Sequence, residues 1–491
     1  MHSIVVTNKP KDWDFQIPDV EVISAKAYLT DQKYSEMRNV RVYNLCQSYR
    51  YQGMGYYVSL LAEARGHRSF PNITTMQDLK SLSIVRIISD ELDKIIQSNL
   101  ARLRSSTFEL NIYFGQSVTK LHKTLSRQLY NLFPAPLLHV TFLWNKDQNK
   151  WLIQSILPLP LNQVPLAHLP PLFEFSRQYF VRKRIRSKSH SKLIYDLAIL
   201  TNADEKSPPS DKKALDKFLE AAEDVGLRAR IISKNDYSRI PEFDALFIRE
   251  TTAVNHHTYR FARRATAENL IVIDDPISIV KCANKVYMAE RLKNANIATP
   301  KTMIVHKKNK DELIKVLGFP CVLKQPDGSF STGVSKVTDA ESLDKELNRL
   351  LNQSDLIIAQ EFVPTEYDWR IGILNKKPLY ACKYYMAKNH WQIAHWHGNE
   401  RRDGEVETVP IDQVPEKILK NAIRAASLIG DGLYGVDLKY TTAQQTVVIE
   451  INDNPSIEYS YEDSLLKDDL YAQIMSCMFQ RIKRKKDGIV N

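Results

Sequence analysis

Short apolar runs alternate along this chain with longer stretches that carry apolar residues at three-and-four spacing, the mark of strands interleaved with helices. Residues 3–7 (SIVVT) and 20–24 (VEVIS) read as strands separated by a polar turn. Residues 53–66 have helical periodicity and stop at Gly66, and His67 opens an irregular segment that closes at Pro71. Thr75, followed by Asp78, predicts a helix start, and 113–132 reads as helical. Residues 138–144 and 151–157 flank the turn NKDQNK and predict a hairpin. Prolines crowd Pro158 to Pro171 and predict extended chain there.

A second α/β pattern starts near Tyr195. Strands are predicted at YDLAILTN, RARIIS, FDALFIRE and LIVIDD, with helices at 213–225 and 256–269. Such alternation predicts a parallel sheet covered by helices, and ligands of such sheets gather beyond the carboxyl ends of the strands. Arg249, Glu250 and Thr251 fall there. Further on, a helix from Asn284 to Ala295 precedes the strand TMIVH, a helix at 311–317, the strand PCVLKQ and the loop PDGSFSTG. DLIIAQEFV is a strand, and WRIGILN with PLYACKYYM reads as an antiparallel pair. A helix over 414–429 stops at Gly430, the strands YGVDLKYT and TVVIEIND follow, and a last helix spans 464–482 before a basic tail. No internal repeat is visible.

At 491 residues the chain has room for two to four domains. Its hydrophobic share of 43% supports well-filled cores. The formal charge of +11 favours anionic partners, although solubility alone accounts for it equally well. No apolar run reaches the roughly 18 residues that span a bilayer, and the early charges of Lys9, Lys11 and Asp12 do not form a signal peptide. Five widely spaced cysteines give no sign of a disulfide framework or a zinc site. A cytoplasmic protein is the expectation. The basic run at 181–192 reads either as a solvated linker or as a phosphate-binding patch.

Candidate chemistry concentrates near the end of the chain. Glu450 and Asn452 lie two apart on one strand, so both side chains share a face, and Asp437 sits on the neighbouring strand. Three oxygen donors suit magnesium, which completes its shell from substrate phosphates; an ordinary polar sheet face has the same spacing. In the loop Asp327–Gly333, Gly328 and Gly333 flank the hydroxyls of Ser329, Ser331 and Thr332. Backbone amides there could turn toward an anion, but it is not a Walker motif, and an exposed hairpin has similar composition. Lys324 ends an apolar strand and needs a partner, either an anionic ligand or solvent at the strand edge. Arg370 lies two beyond Asp368 on one face, either as a plain salt bridge or as a bidentate grip on a carboxylate or phosphate. His395, Trp396 and His397 lack partners at metal spacing, and no G-x-S-x-G element occurs.

With these residues in this order, the segment from about 195 to 480 resembles the ATP-grasp superfamily, in its RimK-like branch of α-L-glutamate-type ligases. The resemblance implies a pre-ATP-grasp α/β domain plus two α+β subdomains clasping ATP, with an additional N-terminal α/β domain of the kind seen on longer RimK-like proteins. The division it suggests is 1–185, 193–280, 281–363 and 364–485. By the resemblance, Lys285 and Lys324 contact ATP phosphates, and Gln360, Glu361, Phe362 and Val363 form the adenine hinge. Asp368 reaches the ribose, the loop at 327–333 is a mobile lid, and Asp437, Glu450 and Asn452 hold magnesium or manganese. Arg370, with Lys324, steadies the reacting group. The loop departs from better-known relatives in having only two glycines. The implied reaction is ATP-dependent carboxylate–amine ligation through an acyl phosphate, adding glutamate or a similar amino acid to an amine or peptide acceptor. No membrane partner is expected, and a homo-oligomer is. Arg249 and Arg260 are candidate carboxylate recognisers, and Tyr56, Tyr57, Arg65 and His67 mark the most suggestive surface of the N-terminal domain. The alternatives are a dipeptide, glutathione-like or cyanophycin-like synthetase, and a nucleic-acid or acidic-protein binding module with ATP as a regulator, motivated by the run at 181–192 and the tail RIKRKK.

Overall fold

Short β-branched runs and amphipathic helices assemble this protein into two compact units, Met1–Ser189 and His190–Asn491. The structure, a computed structural model, describes residues 2–13, 15–38, 40–82, 85, 92–181, 194–327, 333–388, 390–397, 400–441 and 443–487.

The first unit begins with a four-stranded parallel sheet in the order β2-β1-β3-β4, built from β1 (His2–Thr7), β2 (Val20–Ser24), β3 (Val40–Asn44) and β4 (Arg68–Phe70). β3 is buried throughout, and its sequence VRVYN carries no period that separates one face from the other. β4 occupies the segment expected to be irregular; three residues are too few to show alternation. The helix expected to start at Thr75 is Ile73–Asp78, and its cap is Asn72, whose side chain accepts from Thr75 N at 2.7 Å. The stretch 113–132 is not one helix. Strand β5 (Thr107–Tyr113) ends in a turn where Phe114 and Gly115 both take positive φ, and the helix spans only Lys123–Leu132. β5 pairs with the predicted hairpin, β6 (Leu137–Asn145) and β7 (Lys150–Pro158), in an antiparallel sheet. A helix, Leu169–Val181, begins inside the proline-rich stretch. Pro170 and Pro171 lie in its first turn, where a missing N–H leaves no intrahelical bond unmade. Arg65 donates to the Tyr28 and Leu29 carbonyls, and buried His67 pairs with Tyr28 Oη at 2.8 Å, so both fasten elements of this unit together.

The second unit opens with a parallel sheet in the order β11-β10-β8-β9: β8 (Tyr195–Leu200), β9 (Leu227–Ile232), β10 (Ala245–Ile248) and β11 (Ile271–Ile273). Next comes an antiparallel sheet, β12-β15-β13-β14, from β12 (Thr302–Val305), β13 (Cys321–Lys324), β14 (Val334–Val337) and β15 (Ile357–Glu361). The last large sheet is β20-β17-β16-β21-β22, with β16 (Tyr367–Leu374), β17 (Lys377–Tyr385), β20 (Val406–Val409), β21 (Leu433–Tyr440) and β22 (Thr446–Asn452). Between β17 and β20 in sequence, β18 (Ala394–His397) and β19 (Glu400–Asp403) form a separate hairpin.

The Glu416–Ile429 helix buries Ile418, Ala422, Ala425, Ala426 and Ile429. That stripe packs on Trp369, Ile371, Val436, Leu438 and Ile451 of the five-stranded sheet. Each large aliphatic group buried there contributes about 1.5–3 kcal/mol, and it commits one sheet face to the core. The opposite face carries Leu374, Tyr380 and Cys382 in a second core, with a polar row beside them. The final helix, Asp468–Lys486, lies four residues further along than expected and includes the RIKRKK tail in its last turns. Basic side chains there complement the negative end of the helix dipole. All five cysteines are free. No helix among the described residues is long and apolar enough to cross a membrane.

Candidate active site

Register places the polar residues of the five-stranded sheet in one row. Arg370 of β16 pairs with Asp437 of β21, and Asp437 pairs with Glu450 of β22 across a bulge that follows it. Asn452, two beyond Glu450, is opposite Gly435. Antiparallel partners share a face, so Arg370, Asp437, Glu450 and Asn452 project together, away from the apolar core. Arg370 grips Asp437 with two bonds, Nε to Oδ1 at 2.7 Å and Nη2 to Oδ2 at 2.8 Å. Asn452 Nδ2 donates to Asp437 Oδ2 at 3.2 Å.

Lys285 arrives from a different element. Asn284 caps the Lys285–Asn294 helix through bonds from Val286 N and Tyr287 N, and also donates to Asp327 Oδ1 at 2.8 Å. Lys285 N donates to Pro326 O at 2.8 Å. These bonds fix the first helical turn beside the loop, and Lys285 Nζ reaches Glu450 Oε1 at 3.0 Å. Lys324 ends β13, with its side chain on the face that also carries Gln360 of β15. A cleft between the two antiparallel sheets is lined by Lys285, Met288, Thr302, Lys324, Gln360 and Glu450, among others.

Charge within this cleft is balanced but strained. Burial pulls the Lys324 ammonium down to about 8; Glu450 opposes that shift and Lys285 reinforces it. Burial would raise the Glu450 carboxyl, but Lys285 and Lys324 outweigh it and hold it below its ordinary value. Burial dominates at Asp437, whose carboxyl stays above the usual range despite Arg370. For Arg370, desolvation is more than offset by Asp437, so its pKa rises.

The remaining expected residues are placed as follows. Asp368 accepts from Lys439 Nζ at 2.5 Å and Thr365 Oγ1 at 3.1 Å. Gln360 donates to Thr302 Oγ1 at 2.9 Å, and Glu361 Oε1 accepts from Lys301 N at 2.8 Å. Phe362 packs edge-on against Trp391, with Lys336 Nζ 4.7 Å from its ring centre. Val363 follows directly. Gly333 has φ +76° and accepts at its carbonyl from Gln325 N at 3.0 Å. Gly328, Ser329, Ser331 and Thr332 lie outside the described residues, as does most of the basic run at 181–192.

Arg249 does not reach a substrate cleft. It is 1% exposed and donates to Ser210 Oγ, Asn454 Oδ1, and the Pro209 and Pro455 carbonyls. It ties the end of β10 to the turn after Asn452, and all its reach is consumed internally. Two site residues went unread in the sequence. Lys439 lies two beyond Asp437 on β21, so period two could have revealed it beside the acid row. Tyr384, whose ring centre lies 4.7 Å from the Arg370 guanidinium, is brought there only by β16–β17 register.

The donor set fits magnesium and a nucleotide. Two carboxylates and a carboxamide supply hard oxygen ligands, and two lysines beside them suit phosphates.

Comparison with known proteins bears on the same segments. The profile of the RimK-like ATPgrasp N-terminal domain matches residues 25–174, and that of the RimK-like ATP-grasp domain matches residues 282–478. The alpha-aminoadipate–LysW ligase LysX of Sulfolobus acidocaldarius is 26% identical over 240 residues, covering 46% of this chain and 83% of that protein. Its counterpart from Saccharolobus solfataricus is 29% identical, covering 38% of this chain and 66% of that protein. A probable alpha-L-glutamate ligase of Chromohalobacter salexigens is 24% identical, covering 49% and 83%. Among solved structures, a RimK domain ATP-grasp protein from Sphaerobacter thermophilus aligns with TM-score 0.45 and 15% identity, over 57% of this chain and 98% of that one.

Proposed function

Because this chain belongs to the RimK-like branch of the ATP-grasp superfamily, with its N-terminal extension domain, and is an ATP-dependent ligase of carboxylate–amine type, we propose that it joins an acidic amino acid such as glutamate to an amine or peptide acceptor. The observation that carries this reading is the single row of Arg370, Asp437 and Glu450 facing Lys285 and Lys324. The names of the relatives, for aminoadipate and for glutamate, support an acidic amino acid as one substrate.

Lys285 and Lys324 would neutralise the phosphates of ATP, and Gln360 to Val363 would border its base, with Asp368 at the ribose. Asp437, Glu450 and Asn452 would hold magnesium, which when bound neutralises phosphate charge and aligns the terminal phosphoryl group. One substrate's carboxylate oxygen attacks the γ-phosphorus; the γ-phosphorus to bridging-oxygen bond breaks, and ADP leaves. The amine nitrogen of the other substrate then attacks the acyl carbon. The bond from acyl carbon to phosphate oxygen breaks, phosphate leaves, and the nitrogen gives up a proton to complete the amide. Arg370, held rigidly by two bonds to Asp437, would stabilise charge on the acyl phosphate and tetrahedral species. Water must be excluded meanwhile, a role suited to the 327–333 loop.

The experiment is product identification by mass spectrometry from ATP, magnesium and a panel of amino acids and peptides. An amide product with stoichiometric ADP and phosphate supports the proposal. Dipeptides formed from free amino acids alone would shift it to a small-molecule synthetase. Salt-dependent nucleic-acid binding without phosphate release would overturn it.

A further inference from the structure

The second parallel sheet has its own reversal of strand order, away from the residues that line the nucleotide cleft. The chain leaves β8 toward β9 on one side and returns to β10 on the other, so the order reverses between β8 and β10. The carboxyl ends of strands at such a reversal border a ligand crevice. The loop after β10 carries Glu250, His256 and His257 at that end of the sheet, and the loop after β8 carries Glu205.

One donor atom from each of Glu250, His256 and His257 lies within 4.8 Å of the others. Adjacent residues on a helix do not face one another. Here they do, because His256 is the extended cap (φ −109°, ψ 162°) of the His257–Ala267 helix, which brings the two ring centres to 3.9 Å. Glu250 is 1% exposed, and neither of its carboxylate oxygens has a hydrogen bond. His257 Nε2 lies 2.8 Å from Glu250 Oε1, yet the two are not aligned as donor and acceptor. Close approach without alignment is what two ligands of one ion show, since their lone pairs point at a third position.

We infer that Glu250, His256 and His257 form a site for a zinc-class divalent ion, separate from the acid–amide row of β21 and β22. Ligands of tetrahedral zinc lie about 3.3–3.5 Å apart, given bonds of about 2.0–2.1 Å, so small side-chain rotations close the site. Two imidazoles with one carboxylate select zinc or a similar transition ion over magnesium. An organic ammonium is a poorer occupant, because a carboxylate 1% exposed leaves no room for it. His256 Nδ1 lies 3.1 Å from Thr258 Oγ1, a contact that fixes the orientation of the ring. The ion would pin the two ends of the loop after β10 to each other, and hydrogen bonds already join that loop to the turn after Asn452, where Asn454 Nδ2 donates to Glu250 O at 2.7 Å and Thr252 Oγ1 to Asp453 Oδ2 at 2.8 Å.

The test uses the full chain, stripped with chelator and titrated with zinc by calorimetry without nucleotide, and with cobalt(II) by visible absorption. One ion per chain and a cobalt spectrum of mixed nitrogen–oxygen ligation are expected. Glu250→Gln and His257→Gln should each weaken zinc binding more than about 100-fold, while Glu450→Gln leaves it unchanged. His256→Asn, at a position less buried than Glu250, serves if either of those fails to fold, and should also weaken binding. No uptake, uptake indifferent to these three substitutions, or uptake lost in Glu450→Gln would overturn the inference.

Discussion

The depressed pKa of Lys324 makes a quantitative demand on nucleotide binding. The ammonium titrates at about 8 rather than its ordinary 10.5, because burial strips its hydration. At about pH 7 some nine-tenths of free protein carries this charge; at about pH 9 only about one part in eleven does. A triphosphate that needs the charged form must then restore it, at about 1.4 kcal/mol, so ATP affinity should fall about tenfold across this interval. The terminal phosphate of ATP does not confuse the result, since its own second pKa is about 6. The assay is displacement of a fluorescent nucleotide at saturating magnesium, from about pH 7 to about pH 9.5. Lys324→Arg, which keeps its charge throughout, should flatten the profile. A wild-type profile flat to about pH 9, or the same break in Lys324→Arg, would refute the reasoning. Stability without nucleotide runs the other way. Between about 8 and 10.5 the unfolded lysine holds a proton that the folded one has lost, so stability rises with pH, by up to about 3 kcal/mol. Lys324→Met should remove that rise.

Asp453 is pushed up by burial to about 6 from 3.8. The folded state therefore binds more protons between about pH 4 and 6, and stability falls as pH rises through that window. Asp453→Asn should stabilise the protein at about pH 7 by up to about 3 kcal/mol; urea melts showing no gain would contradict this. Arg249→Ala breaks four hydrogen bonds, three of them buried, and should cost about 3–5 kcal/mol in the same assay; a loss below about 1 kcal/mol would show that the turn after Asn452 holds without it. In Gly372→Ala the new methyl would meet the buried Tyr380 ring at 2.2 Å. The ring has no free end to swing aside, so a loss of about 1–3 kcal/mol is expected, read by thermal melting.

The second unit was more legible in sequence than the first. Strands such as YGVDLKYT and TVVIEIND alternate cleanly, since one face packs on a helix and the other carries Asp437, Glu450 and Asn452. Period two therefore reported both the strand and the grouping of its polar residues. In the first unit β3 is buried on both faces and β4 has three residues, so neither leaves a period to read. The expected helix at 113–132 is split because Phe114 and Gly115 turn the chain with positive φ after β5 and a 3-10 turn at Lys120–His122 intervenes before the helix starts at Lys123. Arg249 was misread for a related reason. A charged residue beyond a parallel strand points to a ligand, but its actual partners, Asn454 and Pro455, lie about two hundred residues away in sequence. His256 and His257 are not at metal spacing on a helix, and only the extended cap brings them together.

The central claim is that a carboxylate is activated as its acyl phosphate in the row formed by Arg370, Asp437 and Glu450. It is tested most directly with the substrate carboxylate labelled in oxygen-18, once a productive pair is in hand. One labelled oxygen should appear in each inorganic phosphate released with ADP, and Glu450→Gln should abolish the transfer while the protein remains folded. Phosphate free of label, label carried into AMP, or undiminished transfer in Glu450→Gln at ordinary magnesium would contradict the account.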